Sequence, residues 1–198
     1  MDIYKRRRSD MRTGDILLFS GRGLISRGIQ AITRSRWSHV ALVLEVPEYD
    51  FVCCFESTTL SDIPDLTTGA AVKGVQLVPL SQRLEGYDGD AVAWRPVEAP
   101  RSATAIATAL AVRREFAGRP YEKNQIELLR SALDTISLKH NQPDSSSVFC
   151  SELAAIMWQR MGWMDKRLPP NELTPVDFAG DTLPLARGVT LGPLELLK

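Results

Sequence analysis

The segments HVALVLEV, residues 39–46, and FVCCFES, residues 51–57, place the strongest constraint on the fold of this chain. Both are short apolar runs rich in branched and aromatic side chains, which is typical of buried strands. Only the turn-forming segment PEYD separates them, a length common in hairpin connections. The two segments therefore predict an antiparallel pair of strands.

The order of the remaining predicted elements favours an α+β fold. Strands are predicted over residues 15–19, 73–80 and 90–97, and helices over residues 24–33, 102–118, 126–136 and 148–162. Ser102 is the expected N-cap of its helix, and Gly162 is expected to end the last one. Because most strands precede most helices, strands and helices segregate rather than alternate along the chain.

Length and composition indicate one compact domain without a polyanionic partner. The 198 residues, 44% of them hydrophobic, suit a single domain over residues 13–198. Lysine plus arginine equals aspartate plus glutamate at 24 each, so no nucleic-acid binding is expected. Residues 1–12 form a basic segment that we expect to be mobile, and membrane contact through it is not favoured.

The sequence shows no targeting segment. No apolar run reaches the ~20 residues of a transmembrane helix, and the basic start is not followed by the apolar block of a secretory signal. We therefore expect a cytoplasmic protein, in which the three cysteines are reduced thiols.

Cys150 is the first candidate for chemistry, because it lies where a polar loop ends and a helix begins. Unpaired amides and the positive end of the helix dipole favour a thiolate at that position. The alternative is a small buried residue that fills space above the helix, since free cysteines are often buried. Position alone does not decide between these interpretations.

Two further residues complete a possible catalytic set. His39, one of two histidines, begins its strand and can act as the base that a cysteine nucleophile needs. In a hairpin of residues 39–46 and 51–57, Glu56 lies near His39 and can orient its ring, whereas Glu45 lies at the far end. The alternatives are a hydrogen-bonded core histidine and a solvent-facing carboxylate.

The other cysteines and the second histidine do not suggest a metal site. Cys53 and Cys54 are neighbours in a strand, so their side chains point to opposite faces. His140 stands alone in a polar loop, and no cysteine pair at zinc spacing is joined by a histidine pair. We expect neither a metal nor another cofactor.

Six segments in a fixed order resemble a known family. They are TGDILLFSG, SHVALVLE, FEST, GRPYEKN, VFCSELAA and LTPVDF, spanning about residues 13–178. They resemble the circularly permuted branch of the NlpC-type papain-like cysteine peptidases, which includes the YiiX-like proteins and has lecithin-retinol acyltransferase-like relatives. The histidine strand comes first and the cysteine helix last. The resemblance implies a papain-like fold, with a small antiparallel sheet or partial barrel packed against helices.

The resemblance also implies roles for individual residues. Cys150 matches the nucleophile, His39 the base and Glu56 the third polar residue. Tyr121 matches a tyrosine near the site, which we expect beside the substrate or the developing oxyanion. Asp15 matches a recurring Gly-Asp pair that is expected to organise the start of a strand rather than to catalyse.

These residues together predict a cysteine hydrolase. We expect it to cleave a peptide or isopeptide amide through an acyl-thioester intermediate. Two alternatives stay open: a lipid thioesterase, phospholipase or acyltransferase that uses the same Cys-His site, and a non-catalytic binding module on the same fold. YiiX-like proteins often carry an export signal and act on the cell wall, whereas this sequence predicts no such signal. The sequence specifies no oligomeric state.

Overall fold

An antiparallel sheet forms the centre of the computed structural model, which describes residues 2–49, 51–121 and 149–198. Its strands lie in the order β4-β3-β2-β1-β5-β8, and β6 pairs separately with β7. The strands are β1 (Ile16–Ser20), β2 (His39–Glu45), β3 (Val52–Thr58), β4 (Gly74–Pro79), β5 (Ala91–Arg95), β6 (Val97–Glu98), β7 (Thr190–Leu191) and β8 (Glu195–Leu196).

Six helices accompany these strands in the described part of the chain. They are α1 (Asp2–Arg7), α2 (Leu24–Thr33), α3 (Leu80–Gly86), α4 (Ala103–Phe116), α5 (Cys150–Met161) and α6 (Pro175–Ala179). Short 3-10 turns follow at Arg8–Asp10 and Pro170–Glu172. The predicted α+β class is confirmed. The helix predicted over residues 126–136 lies outside the described residues.

Local sequence signals explain where the two longest helices begin and end. The Ser102 side chain accepts a hydrogen bond from the amide of Ala105 at 3.1 Å, which caps α4. Gly162 follows α5 with a φ of 78°, a left-handed conformation that glycine adopts without steric cost. None of the helices in the described ranges is long and apolar enough to cross a bilayer.

The sheet is buried on both faces. Val40, Leu42 and Leu44 of β2 belong to a core shared with α4 and α5, which also pack against each other. Ala41 and Val43 point the other way, into a second core. A strand with both faces buried has no polar side, and this explains the nearly continuous apolar run in HVALVLEV.

The basic N-terminal segment packs at the end of the sheet that is remote from His39. Tyr4 and Met11 are buried in the second core, and Arg7 pairs with Glu195 at 2.9 Å. The amide of Thr13 donates to Glu45, the last residue of β2, at 2.9 Å. Two statements stay predictions: that the domain spans residues 13–198, and that residues 1–12 form a separate, mobile segment.

Asp15 organises the start of β1, as its place in a Gly-Asp pair suggests. The carboxylate is 1% exposed and accepts hydrogen bonds from the amides of Arg12 and Val97. It also accepts from the Trp94 indole at 2.9 Å and from the Arg101 guanidinium at 2.7 Å. One buried side chain therefore joins the N-terminal segment to β5, β6 and the approach to α4.

We expect Asp15→Ala to lower the free energy of unfolding by about 3–5 kcal/mol, because it leaves buried donors and a partly buried guanidinium without their acceptor. Urea denaturation followed by circular dichroism measures the change. Asp10→Ala is the matched control: it removes an exposed carboxylate that pairs with Arg7, and its effect is expected to stay below about 1 kcal/mol. Equal effects of the two substitutions would contradict this role of Asp15.

Candidate active site

The structure brings Cys150, His39 and Glu56 together at one end of the sheet. His39 is the first residue of β2 and lies opposite Phe19, near the end of β1. Glu56 belongs to β3, one residue beyond the pairing of Phe55 with Leu42. Cys150 is the first residue of α5, which packs against β2 and β3. Three rigid elements thus position the three predicted residues.

The Cys150 thiol lies in contact with the His39 ring. His39 and the backbone amides of Val40 and Ser151 are the neighbours that favour negative charge on the sulfur. Val40 lies beyond the stretch where β2 pairs with β3, and Ser151 belongs to the first turn of α5. Both amides stabilise negative charge on the sulfur, as does the N-terminal end of the helix dipole.

Glu56 holds the opposite side of the His39 ring. Nε2 of His39 lies 2.7 Å from Oε2 of Glu56. This contact occupies Nε2 and leaves Nδ1 as the ring nitrogen available to Cys150. The ring also packs against Phe19, with 5.3 Å between ring centroids. The imidazole is therefore fixed between a thiol and a carboxylate, the arrangement that an acid-base histidine requires.

The pKa values of the pair shift toward a thiolate and an imidazolium. Burial opposes the charged form of His39, but the charge and hydrogen bond of Cys150, together with Glu56, raise the His39 pKa to about 9. Burial also opposes the Cys150 thiolate, yet the charge of His39 and the hydrogen bonds to the sulfur lower the pKa of Cys150. Each charge stabilises the other.

Glu56 is itself held by a buried guanidinium. Nε of Arg83, in α3, donates to Oε1 of Glu56 at 2.8 Å, and Arg83 and Glu56 are 0% and 1% exposed. The Gln76 amide, directly across from Glu56 on β4, reaches the same oxygen at 3.4 Å. Burial alone raises a carboxyl pKa, but the Arg83 charge and the His39 contacts lower the pKa of Glu56 below its usual value. The carboxylate thus stays ionised.

The other residues considered in the sequence lie elsewhere. Cys53 and Cys54 are buried on opposite faces of the sheet, where burial raises the Cys53 pKa to about 12 and the Cys54 pKa well above its usual value. Glu45 lies at the far end of β2 and bonds Thr13. His140 lies outside the described residues.

Tyr121 lies next to the residue that precedes the cysteine. Its ring centroid is 5.1 Å from that of Phe149, the N-cap of α5. The chain just before it is tied to β4, since the amide of Val75 donates to the carbonyl of Arg119 at 2.8 Å. This places Tyr121 near the start of α5, while its contact with substrate or oxyanion stays a prediction.

Arg83 and Gln76 are the functional candidates that the sequence analysis missed. Arg83 belongs to QRLEGYDG, a segment between two predicted strands for which no helix is predicted, although α3 forms there. For Gln76 the sequence does contain a clue, since an amide side chain inside the apolar strand VQLV needs a buried polar partner. The identity of that partner depends on the pairing of β3 with β4.

The fold has a solved counterpart. The chain is similar to the metalloprotein YiiX (DUF1105) of Escherichia coli O157:H7, with a TM-score of 0.53 and 18% sequence identity, over 95% of this chain and 97% of that one. No sequence-family model and no curated protein sequence matches the chain. The similarity shows a YiiX-like fold, and the predicted papain-like arrangement is confirmed at this level.

The donor atoms of the present site do not fit a metal ion. In the described ranges, no group of three or more histidine, cysteine or acidic side chains is arranged to hold one. Nε2 of His39 is engaged by Glu56, and the Arg83 guanidinium lies 2.8 Å from a Glu56 oxygen. A divalent cation at that oxygen would be repelled by the guanidinium.

We expect His39 to stay protonated at neutral pH and to lose its proton as the pH rises through about 9. Cys150→Ala should lower this midpoint, because it removes the charge and the hydrogen bond that raise the His39 pKa. Histidine ring signals followed by NMR from pH 5 to about 10 measure the titration, and His140→Asn assigns the two histidines. An identical His39 midpoint with and without the thiol would contradict the proposed ion pair.

Proposed function

We propose that this chain is a cysteine hydrolase that cleaves an amide bond, in a peptide or isopeptide, through an acyl-thioester intermediate. Cys150 is the nucleophile, His39 the general acid and base, and Glu56 the group that orients the ring. The observation that supports the proposal is the placement of the His39 imidazole between the Glu56 carboxylate, 2.7 Å away, and the sulfur of Cys150, whose charge it stabilises at the start of a helix.

Acylation begins with attack of the Cys150 thiolate on the carbonyl carbon of the substrate. The new S–C bond moves the carbonyl electron pair onto oxygen, and the first-turn amide of Cys150 is the expected donor to that oxyanion. Collapse of the intermediate breaks the C–N bond. The His39 imidazolium gives its proton to the departing amine, so that a free amine and a thioester result.

Deacylation reverses the role of the histidine. The neutral His39 ring accepts a proton from water as the oxygen attacks the thioester carbon. Breaking the C–S bond releases the carboxylic acid and restores the thiolate beside an imidazolium. Glu56 stays ionised throughout, because the Arg83 charge and the His39 contacts lower its pKa. No cofactor is needed for either half of this cycle.

We expect iodoacetamide at pH 7 to modify Cys150 at least about tenfold faster than Cys53 or Cys54, since only Cys150 has a lowered pKa and a thiolate reacts where a thiol does not. His39→Ala should abolish the preference, because it removes the counter-charge of the thiolate. Peptide mapping by mass spectrometry measures each site.

Labelling in denaturant is the matched control, since all three cysteines of the unfolded chain are expected to react at similar rates. Equal and slow modification of the three thiols in the folded protein would refute the proposed nucleophile.

A lipid acyl substrate is the second candidate function. Three of the large hydrophobic side chains that are exposed, Leu24 (91%), Ile32 (50%) and Leu60 (38%), lie in the connections at the His39 end of the sheet. Single exposed leucines are ordinary, but three at the end that carries the site favour contact with an apolar substrate or a membrane surface. The thioester chemistry stays the same, with an ester oxygen as the leaving group.

A substrate screen separates the two candidates. We expect hydrolysis of peptide or isopeptide amides that is lost in Cys150→Ala, with turnover that does not change when phosphatidylcholine vesicles are added. The Leu24→Glu and Leu60→Glu variants are expected to keep amide turnover within about twofold. Turnover confined to lipid esters, together with flotation on vesicles that these variants abolish, would instead establish the lipid function and refute the amide proposal.

A further inference from the structure

Arg83 is a buried cation on the side of Glu56 that faces away from His39. Its guanidinium is 0% exposed, and Nε donates to Oε1 of Glu56 at 2.8 Å. A second nitrogen, Nη1, donates to Oδ1 of Asp62 at 2.9 Å, and the Asp62 side chain is 46% exposed. The series of interacting side chains that begins with Cys150 and His39 therefore continues through Glu56 and Arg83 to a carboxylate at the surface.

We infer that Arg83 is a positioning residue of the site, which acts through Glu56 to keep Cys150 ionised. The inference rests on the proposed function, and it adds a fourth member to the proposed set of Cys150, His39 and Glu56. Arg83 touches neither the sulfur nor a reacting atom, so its effect passes through the carboxylate that it holds.

The charges of the four side chains alternate along the series and sum to zero. A thiolate, an imidazolium, a carboxylate and a guanidinium follow one another at Cys150, His39, Glu56 and Arg83. Buried charges are tolerated when they are paired and hydrogen-bonded. Without Arg83, the three remaining side chains carry one net negative charge in a buried place. Protonation of the thiolate or of the carboxylate would neutralise that charge.

Other groups around Glu56 do not replace this charge. The groups that interact with Glu56 come from several elements: His39 on β2, Cys54 on β3, Gln76 on β4, Arg83 on α3 and Tyr87 just after α3. Cys54 and Tyr87 are neutral at pH 7, because burial raises the pKa of both. Apart from His39, Arg83 is the cation that directly balances Glu56 within the described ranges.

Gln76 is too weak a partner to fix the carboxylate alone. Its amide reaches Glu56 only at 3.4 Å and shares its nitrogen with the carbonyl of Leu60 at the same distance. The charge-assisted contact of Arg83 is shorter and comes from a planar group that packing holds in place. Orientation of the Glu56 carboxylate toward His39 therefore depends on Arg83.

The pH dependence of Cys150 alkylation by iodoacetamide tests the inference. We expect Arg83→Gln to move the midpoint of the rate profile upward by at least about one pH unit, which lowers the rate about tenfold at pH values below both midpoints, where the reactive thiolate is the minor form. Arg83→Lys keeps the charge and should restore most of the wild-type midpoint. Asp62→Asn alters only the exposed partner of Arg83, and its midpoint should stay within about 0.3 pH unit of the wild-type midpoint.

A double-variant cycle shows whether Arg83 acts through Glu56. In the Glu56→Gln background, Arg83→Gln is expected to shift the midpoint by less than about 0.3 unit, because the carboxylate it balances is gone. Thermal unfolding followed by circular dichroism accompanies every variant. If Arg83→Gln alone does not fold, the double variant Glu56→Gln/Arg83→Gln replaces it, because it removes both charges together. Its alkylation midpoint is then compared with that of Glu56→Gln.

The outcomes separate this inference from the proposed function. Lack of preferential Cys150 labelling in the wild-type protein would refute the proposed function itself. Preferential labelling with an unchanged midpoint in Arg83→Gln, whatever the change in thermal stability, would overturn only the role of Arg83. Additive shifts in the cycle would also overturn it, since they would mean that Arg83 acts on the thiol without Glu56.

Discussion

Ionisation of a buried thiol is the constraint on which the proposed chemistry depends. Cys150 is 3% exposed, and burial by itself raises the pKa of a cysteine. Cys53 and Cys54, buried in the same protein, show this effect, which the charges of Arg113 and Arg83 oppose without reversing it. Cys150 differs because an imidazole and two backbone amides contact its sulfur. The comparison of the three cysteines thus shows what His39 and the two amides contribute together.

The fold makes that contact rigid by using elements that are anchored in two cores. β2 is buried on both faces and carries His39 at its first position, beyond the stretch paired with β3. α5 packs on β2 and β3 and carries Cys150 at its own first position. Both reactive groups therefore lie at the ends of regular elements, where backbone amides are available and side chains reach past the edge of the sheet. A site built in this way needs little reorganisation during the reaction.

Much of the candidate site was predictable because it depends on local patterns. The hairpin of β2 and β3 has a short turn, so its register alone places Glu56 close to His39, and the helix start at Cys150 follows from a change in periodicity. Arg83 was not predictable in this way. Its long side chain reaches Glu56 only because α3 follows β4 directly and β4 pairs with β3, a combination that no short segment encodes. Long-range pairing of strands is where single-sequence reasoning is weakest.

The two ends of the sheet differ in a way that bears on the substrate. The arginines at positions 6–8 precede Thr13, which bonds Glu45 at the end remote from His39, so this basic segment does not border the site. The exposed Leu24, Ile32 and Leu60 lie at the site end instead. Attraction of the basic segment to anionic lipids would therefore turn the site away from the surface, whereas apolar contact would bring the site toward it. The amide and lipid proposals consequently differ in what they require of these three exposed side chains, and not in what they require of Cys150, His39 and Glu56.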